Sequence, residues 1–249
     1  MIKVPGEIDL KDYILIIPSV AVGNVGQLSI DLLISNLNLC KIGSMWNPIF
    51  LPISGLDPYN TNSVSLCTAA DFYLGTTCKI ILLQLRSLYV GNCTDFFDEI
   101  TQFVRQRKLS KIIILTSSYD YECSDRSDTS LRYLTSDNSL LNTEKFLENQ
   151  FCWKRHTRKQ LMECTECYYI PGGGFANGFY EYLKSTEIPC TVLFCYCSEG
   201  DNVHDALILV KGLNRWLNLL EINTDGNINV TYPPSWEFFF GNPPSSEIY

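Results

Sequence analysis

Cys164-Thr-Glu-Cys167 is the spacing in this chain with the most direct chemical meaning, because two thiols two residues apart form half a zinc site or a redox pair. A zinc site needs two further ligands within reach. Cys195 and Cys197 flank a single residue and are expected on opposite sides of a strand; His156 lies eight residues before Cys164, and His204 opens a helical segment. These do not assemble into a ligand set, so neither a metal nor another cofactor is expected. A nucleophile with a base partner is equally hard to build. The chain has two histidines, no Gly-x-Ser-x-Gly elbow and no His-Glu-x-x-His stretch.

Two glycine loops are the remaining candidates. Val22-Gly-Asn-Val-Gly-Gln27 sits between a strand and a helix, where doubly wound proteins seat a phosphate on helix amides. It lacks the third glycine of the dinucleotide fingerprint and the Lys-Ser/Thr of a P-loop. Pro171-Gly-Gly-Gly174 could form an anion nest, or could let two backbones pass close together, and no Lys or Arg follows it until Lys184. Tight turning and close packing are the preferred reading of both loops. The alternative is a phosphorylase- or hydrolase-type enzyme using them as an anion site. Glu199-Gly-Asp-Asn202 places carboxylates at a strand end, a catalytic address in α/β folds, but capping of the next helix by Asp201 is the simpler role.

The elements that must carry these loops are legible from apolar periodicity. Short continuous apolar runs at Tyr13–Ile17, Ile80–Leu85, Lys111–Thr116 and Thr191–Cys197 read as buried strands. Between them lie helical patterns. Leu28, Leu32, Leu33, Leu37 and Leu39 share one face; Asn92–Arg107 presents Phe96, Phe97, Ile100, Phe103 and Val104, with Thr94 as candidate cap; Ala176–Lys184 and Val203–Leu220 follow. Fully hydrophobic strands alternating with helices mean a sheet covered on both faces, so the fold class is α/β. No linker divides the chain. One α/β domain is expected over residues 1–231, with 117–165 a polar insertion carrying a helix or two. Residues 232–249 form a tail with four prolines and the aromatics Trp236, Phe238, Phe239 and Phe240.

Composition narrows the function classes. Of 249 residues, 46% are hydrophobic and 18% charged, which excludes a disordered or low-complexity chain. The net charge of −8 argues against a nucleic-acid backbone as partner. The longest apolar runs, Tyr13–Val22 and Lys79–Leu85, fall far short of the ~20 residues that span a bilayer, so no membrane is expected. The first ten residues hold no signal-peptide core. A soluble intracellular chain with its eleven cysteines reduced is therefore expected.

Several segments together resemble a known family. They are Val22–Leu28 continuing through Asp31–Ser35 and Lys41-Ile-Gly43; Leu83-Gln-Leu-Arg-Ser87; Arg132-Tyr-Leu134; and Ile170–Gly174. Ser198–Asn202, Leu213-Asn-Arg-Trp-Leu217, Pro234-Ser-Trp236, Phe240-Gly241 and Pro243-Pro244 extend the series, in order, over about residues 13 to 244. The chain resembles the proteasome assembly chaperone 2 family. That resemblance implies a three-layer α/β/α domain with a mainly parallel or mixed sheet, akin to phosphorylase/hydrolase folds. It implies a non-catalytic chaperone of cytoplasm and nucleus, paired as a heterodimer with proteasome assembly chaperone 1. The pair would promote assembly of the 20S proteasome α-subunit ring and prevent off-pathway α-ring dimers. Relatives dock on the α-ring through a hydrophobic–Tyr–any tripeptide. Here the sequence reads Glu247-Ile248-Tyr249, making Ile248 and Tyr249 the candidate α-subunit contacts, although no residue follows the tyrosine.

Overall fold

The computed structural model describes residues 1–123, 131–137, 144–156, 168–223 and 228–237. Nine strands form one mixed sheet: β1 (Ile2–Lys3), β2 (Ile14–Pro18), β3 (Cys40–Met45), β6 (Ala70–Gly75), β7 (Ile80–Leu85), β8 (Lys111–Tyr119), β9 (Leu131–Thr135), β10 (Trp153–Arg155) and β11 (Cys190–Cys197). A separate two-stranded hairpin joins β4 (Ser54–Leu56) to β5 (Leu66–Thr68). The sheet order is β1-β3-β6-β7-β2-β8-β11-β9-β10. Its centre, β7-β2-β8-β11, is parallel. The flank β1-β3-β6 is antiparallel, and β9 runs antiparallel to β11.

Alternation along the central strands sorts side chains into two cores. Leu15, Ile17, Ile112, Ile114, Val192 and Phe194 face α2 (Thr94–Arg107) and α4 (Ala176–Ser185). Ile16, Ile113, Leu115, Leu193, Cys195 and Cys197 face α1 (Val25–Asn36) and α5 (Val203–Leu217), with Leu147 of α3 (Glu144–Phe151) at the margin. The result is the three-layer α/β/α arrangement expected. Cys195 and Cys197 lie on the same face, correcting the opposite-side expectation: a strand repeats every two residues, so i and i+2 share a side. The first core is dominated by aromatics. Phe97 stacks on Phe179 at 4.6 Å between centroids, and Phe96 meets Phe175 edge-on at 5.4 Å. Helix α1 buries almost every residue because the sheet lies on one side and α5 on the other.

Local differences from the sequence reading have identifiable causes. Thr94 is the first residue of α2 and not its cap: Cys93 holds the cap position without a side-chain bond, and Asn92 Oδ1 accepts the Thr94 N–H at 2.9 Å in the turn before it. Helix α1 stops at Asn36 and α5 at Leu217. Asn218 turns into the left-handed region, while Leu220 returns to the core with its N–H and C=O both held by the Asn214 amide. Strand β8 runs three residues past the apolar stretch, because the hydroxyls of Thr116, Ser117 and Ser118 find acceptors on the neighbouring glycine loops. The sequence pattern predicts residues 117–165 as a polar insertion with a helix or two. The described part supplies α3 but also β9 and β10, which complete one flank of the sheet.

Candidate interaction surface

Because β7, β2, β8 and β11 are parallel, their carboxyl ends meet at one end of the sheet, where ligands enter open α/β folds. Here that place is filled by the chain itself. Ser19 Oγ and Thr116 Oγ1 both donate to Gly173 O (2.8 and 2.9 Å), Ser118 Oγ to Pro171 O (2.8 Å) and Ser117 Oγ to Val22 O (2.5 Å). The Val22 N–H donates to Gly172 O at 2.8 Å, stitching one glycine loop to the other. Gly174 adopts φ +61°, and a Cβ there would lie 2.1 Å from Val20 O. Gly26 brings α1 so close to β8 that a Cβ would lie 2.4 Å from Leu115 O. The loops thus serve close packing. Neither 19–27 nor 170–176 carries a Lys or Arg to hold an anion.

The other chemistry-bearing residues also have structural roles. Asp201 Oδ1 accepts the Val203 N–H at 3.0 Å, and Ser198 donates to Asp120 at 2.7 Å. His156 Nε2 lies 2.8 Å from Tyr169 O, and its ring meets Phe194 edge-on. Burial pushes the Cys195 thiol up, and that of Cys197 up to about 11, so neither is poised as a nucleophile. No group of three or more His, Cys, Asp and Glu that could hold a metal exists among the described residues. Cys164, Cys167, Ile248 and Tyr249 lie outside the described residues.

A buried polar network that periodicity did not reveal sits between α1 and β7. Asp31 Oδ1 accepts from Tyr59 Oη (2.5 Å), Gln84 Nε2 (2.5 Å) and Arg86 Nη2 (3.0 Å). Gln84 also donates to Gln27 O, and Gln27 returns a bond to Leu85 O. The Arg86 guanidinium lies over the Tyr59 ring at 5.3 Å. Burial opposes the Arg86 charge, but Asp31, then Tyr59 and Tyr73, outweigh it and raise its pKa. Burial, and after it Asp31, hold the Tyr59 phenol protonated. The available signal was a carboxylate inside the apolar run Ile30–Ile34 and an amide inside Ile80–Leu85: a polar group buried there must find partners.

Among the described residues, the network clamps the segment that carries the most exposed apolar surface. Residues 49–51 run beside 88–90, with Leu51 N–H on Leu88 O and Val90 N–H on Ile49 O (3.3 and 2.7 Å). The chain continues through Ile53 into the β4–β5 hairpin, where Leu56 pairs directly across from Leu66. Trp46, Leu56, Val64, Leu66, Leu88 and Val90 are 51–93% exposed. Residues 46–70 contain one charged side chain, Asp57, and residues 87–94 contain none. The chain average of 18% would place about six over these positions. Charge depletion over an exposed apolar area is the mark of an interface core.

Comparison with known proteins agrees with this geometry. The sequence model of the PAC2 family matches residues 15–230. The chain belongs to the PAC2 family. It is 36% identical over 252 residues to proteasome assembly chaperone 2 of Mus musculus and 35% identical to that of Homo sapiens, each match covering 95% of this chain and 96% of the relative. Among solved structures, Pyrococcus furiosus PbaA, an archaeal homolog of proteasome-assembly chaperone, superposes with TM-score 0.67 at 15% identity, covering 90% of this chain and 88% of that one. PbaB of the same organism, an archaeal proteasome activator, gives 0.66 at 17% identity, with 90% of each chain covered. These two show that the fold is shared. The named relatives are chaperones, a non-enzymatic class, and this PAC2-family chain is not an enzyme. The segments that carried the resemblance build the scaffold: Val22–Leu28 and Ile170–Gly174 interlock, while Asp31, Gln84 and Arg86 form the clamp.

Proposed function

We propose that the chain is a non-catalytic chaperone of 20S proteasome assembly. It works as a heterodimer with proteasome assembly chaperone 1, promotes formation of the α-subunit ring and prevents off-pathway α-ring dimers. Its compartments are the cytoplasm and nucleus. The observation that carries this reading is the collinear likeness, over 95% of the chain, to proteins named proteasome assembly chaperone 2. The geometry supports it, since the end of the sheet where an enzyme would hold substrate is plugged by the glycine loops. The charge-poor apolar surface reaches that plug through the 88–90 loop, where Tyr89 meets Phe175 edge-on at 5.6 Å between ring centroids. In this reading Ile248 and Tyr249 contact the α-subunits.

Native mass spectrometry on the chain co-expressed with proteasome assembly chaperone 1 and the α-subunits tests the proposal. A 1:1 chaperone pair carrying α-subunits is expected, and deletion of Ile248 and Tyr249 should weaken the capture of α-subunits without splitting the pair. Capture untouched by the deletion would remove the tail from the mechanism. A chain that ignores both partners would overturn the proposal.

A further inference from the structure

The β4–β5 hairpin and the adjoining 88–90 loop are built in a way that a free monomer does not need. Two strands of three residues are too short to hold a hairpin in water by themselves. This one is instead tied down at its roots. Lys41 Nζ donates to Leu66 O at 2.7 Å and pairs with Asp71; Asp71 also accepts the Thr68 N–H and hydroxyl, both at 2.7 Å. The intervening loop is fixed by Tyr59 on Asp31 and by the Ser235 N–H on Pro58 O. What these ties hold in place is apolar and wet: the cross-strand pair Leu56 and Leu66, with Val64 beyond them. A segment already ordered loses little entropy on docking.

From this arrangement, the geometry points to the hairpin and the 88–90 loop as the face on which the constitutive protein partner docks; the inference rests on the heterodimer reading above. Two arguments fix the kind of occupant. The first is area. With Leu51 and Ile53 included, the exposed apolar side chains present on the order of 500 Å², taking about 60–120 Å² for a fully exposed aliphatic side chain and about 200 Å² for Trp46. That lies at the upper end of the ~300–600 Å² of the largest, often functional, patch on a typical monomer, and matches the apolar share, about 65%, of one ~800 Å² side of a standard stable interface. The second is charge. Its own segments, 46–70 and 87–94, carry only Asp57, and the charges beside them are already paired, Lys41 with Asp71 and the Met1 ammonium with Glu99, so the face selects an apolar, charge-poor counterpart. A second copy of this chain would bring another net −8 to the same boundary, whereas a different subunit need not. The occupant is therefore a distinct subunit with an apolar face, the chaperone partner itself.

The test uses the full chain co-expressed with proteasome assembly chaperone 1. Leu56→Glu, and separately Leu88→Glu, place charge on solvent-exposed positions and should leave the melting temperature of the chain unchanged. Each should weaken pairing about 100-fold or more, because a carboxylate would be buried unpaired in the interface. Ile222→Glu, at an exposed apolar position outside the face, should pair like the wild type. Variants that melt normally and pair as tightly as the wild type would overturn the face while leaving the heterodimer reading intact. A wild-type chain that does not pair would overturn both. A wild-type homodimer dispersed by these substitutions would overturn the choice of occupant.

Discussion

Removing the Asp31 carboxylate tests whether the clamp between α1 and β7 behaves as a buried ion pair. The Asp31 and Arg86 side chains are 12% and 18% exposed, and one carboxylate oxygen serves three donors. Asp31→Ala leaves the guanidinium without its counter-charge and the Tyr59 hydroxyl without its acceptor, while Gln84 keeps its bond to Gln27 O. Breaking one partner of such a pair costs about 3–5 kcal/mol, a large share of a typical ~5–15 kcal/mol total. At ~2–4 °C per kcal/mol for a chain of this size, the melting temperature should fall by about 6–20 °C in a circular-dichroism melt. Asp31→Leu combined with Arg86→Met removes both charges and should cost less than Asp31→Ala alone, since no unpaired ion is left behind. Amide exchange should rise locally around Tyr59 and the β4–β5 hairpin, which the network holds. A loss under about 1 kcal/mol for Asp31→Ala would refute the reasoning, because that is the behaviour of a solvent-screened surface pair.

Two further predictions concern the glycine plug and the thiols. Gly174→Ala forces a Cβ into both a left-handed backbone and the Val20 carbonyl; it should cost about 2 kcal/mol or more in chemical denaturation, whereas Gly6→Ala, with nothing within 4 Å, should stay within about 0.5 kcal/mol. Maleimide labelling at pH 7–8 with peptide mapping should modify exposed Cys40 and Cys152 quickly and spare Cys190, Cys195 and Cys197 until the protein is unfolded. Burial raises these three thiol pKa values, that of Cys197 to about 11, so the thiolate that reacts appears only well above that range. Equal labelling of all five in the folded protein would contradict the buried assignment.

Much of the architecture was written in local pattern. A strand that is apolar on both faces, such as Ile80–Leu85, can only sit inside a layered fold, and α2 and α5 announce their buried stripes at three-to-four spacing. Other features depend on what arrives from far along the chain. Ser117 and Ser118 open the stretch whose polar pattern predicts an insertion, yet they extend β8 because carbonyls from residues 22 and 171 meet their hydroxyls. Asp31, Tyr59, Gln84 and Arg86 are ordinary residues in the sequence; only the approach of α1 to β7 makes them a network. The two glycine loops were recognisable, and their lack of cations already argued against an anion site. Their mutual contact nevertheless spans some 150 residues of sequence.

The sequence by itself determined the layered α/β class and the family. Each of these is fixed by residue type at short spacing or by collinear motifs. The tertiary structure alone decided that the substrate end of the sheet is closed and that a charge-poor surface stands open beside it. Closure and exposure are properties of which distant segments pack together. Leu56 and Leu66 look like any other core leucines until the fold leaves them facing water.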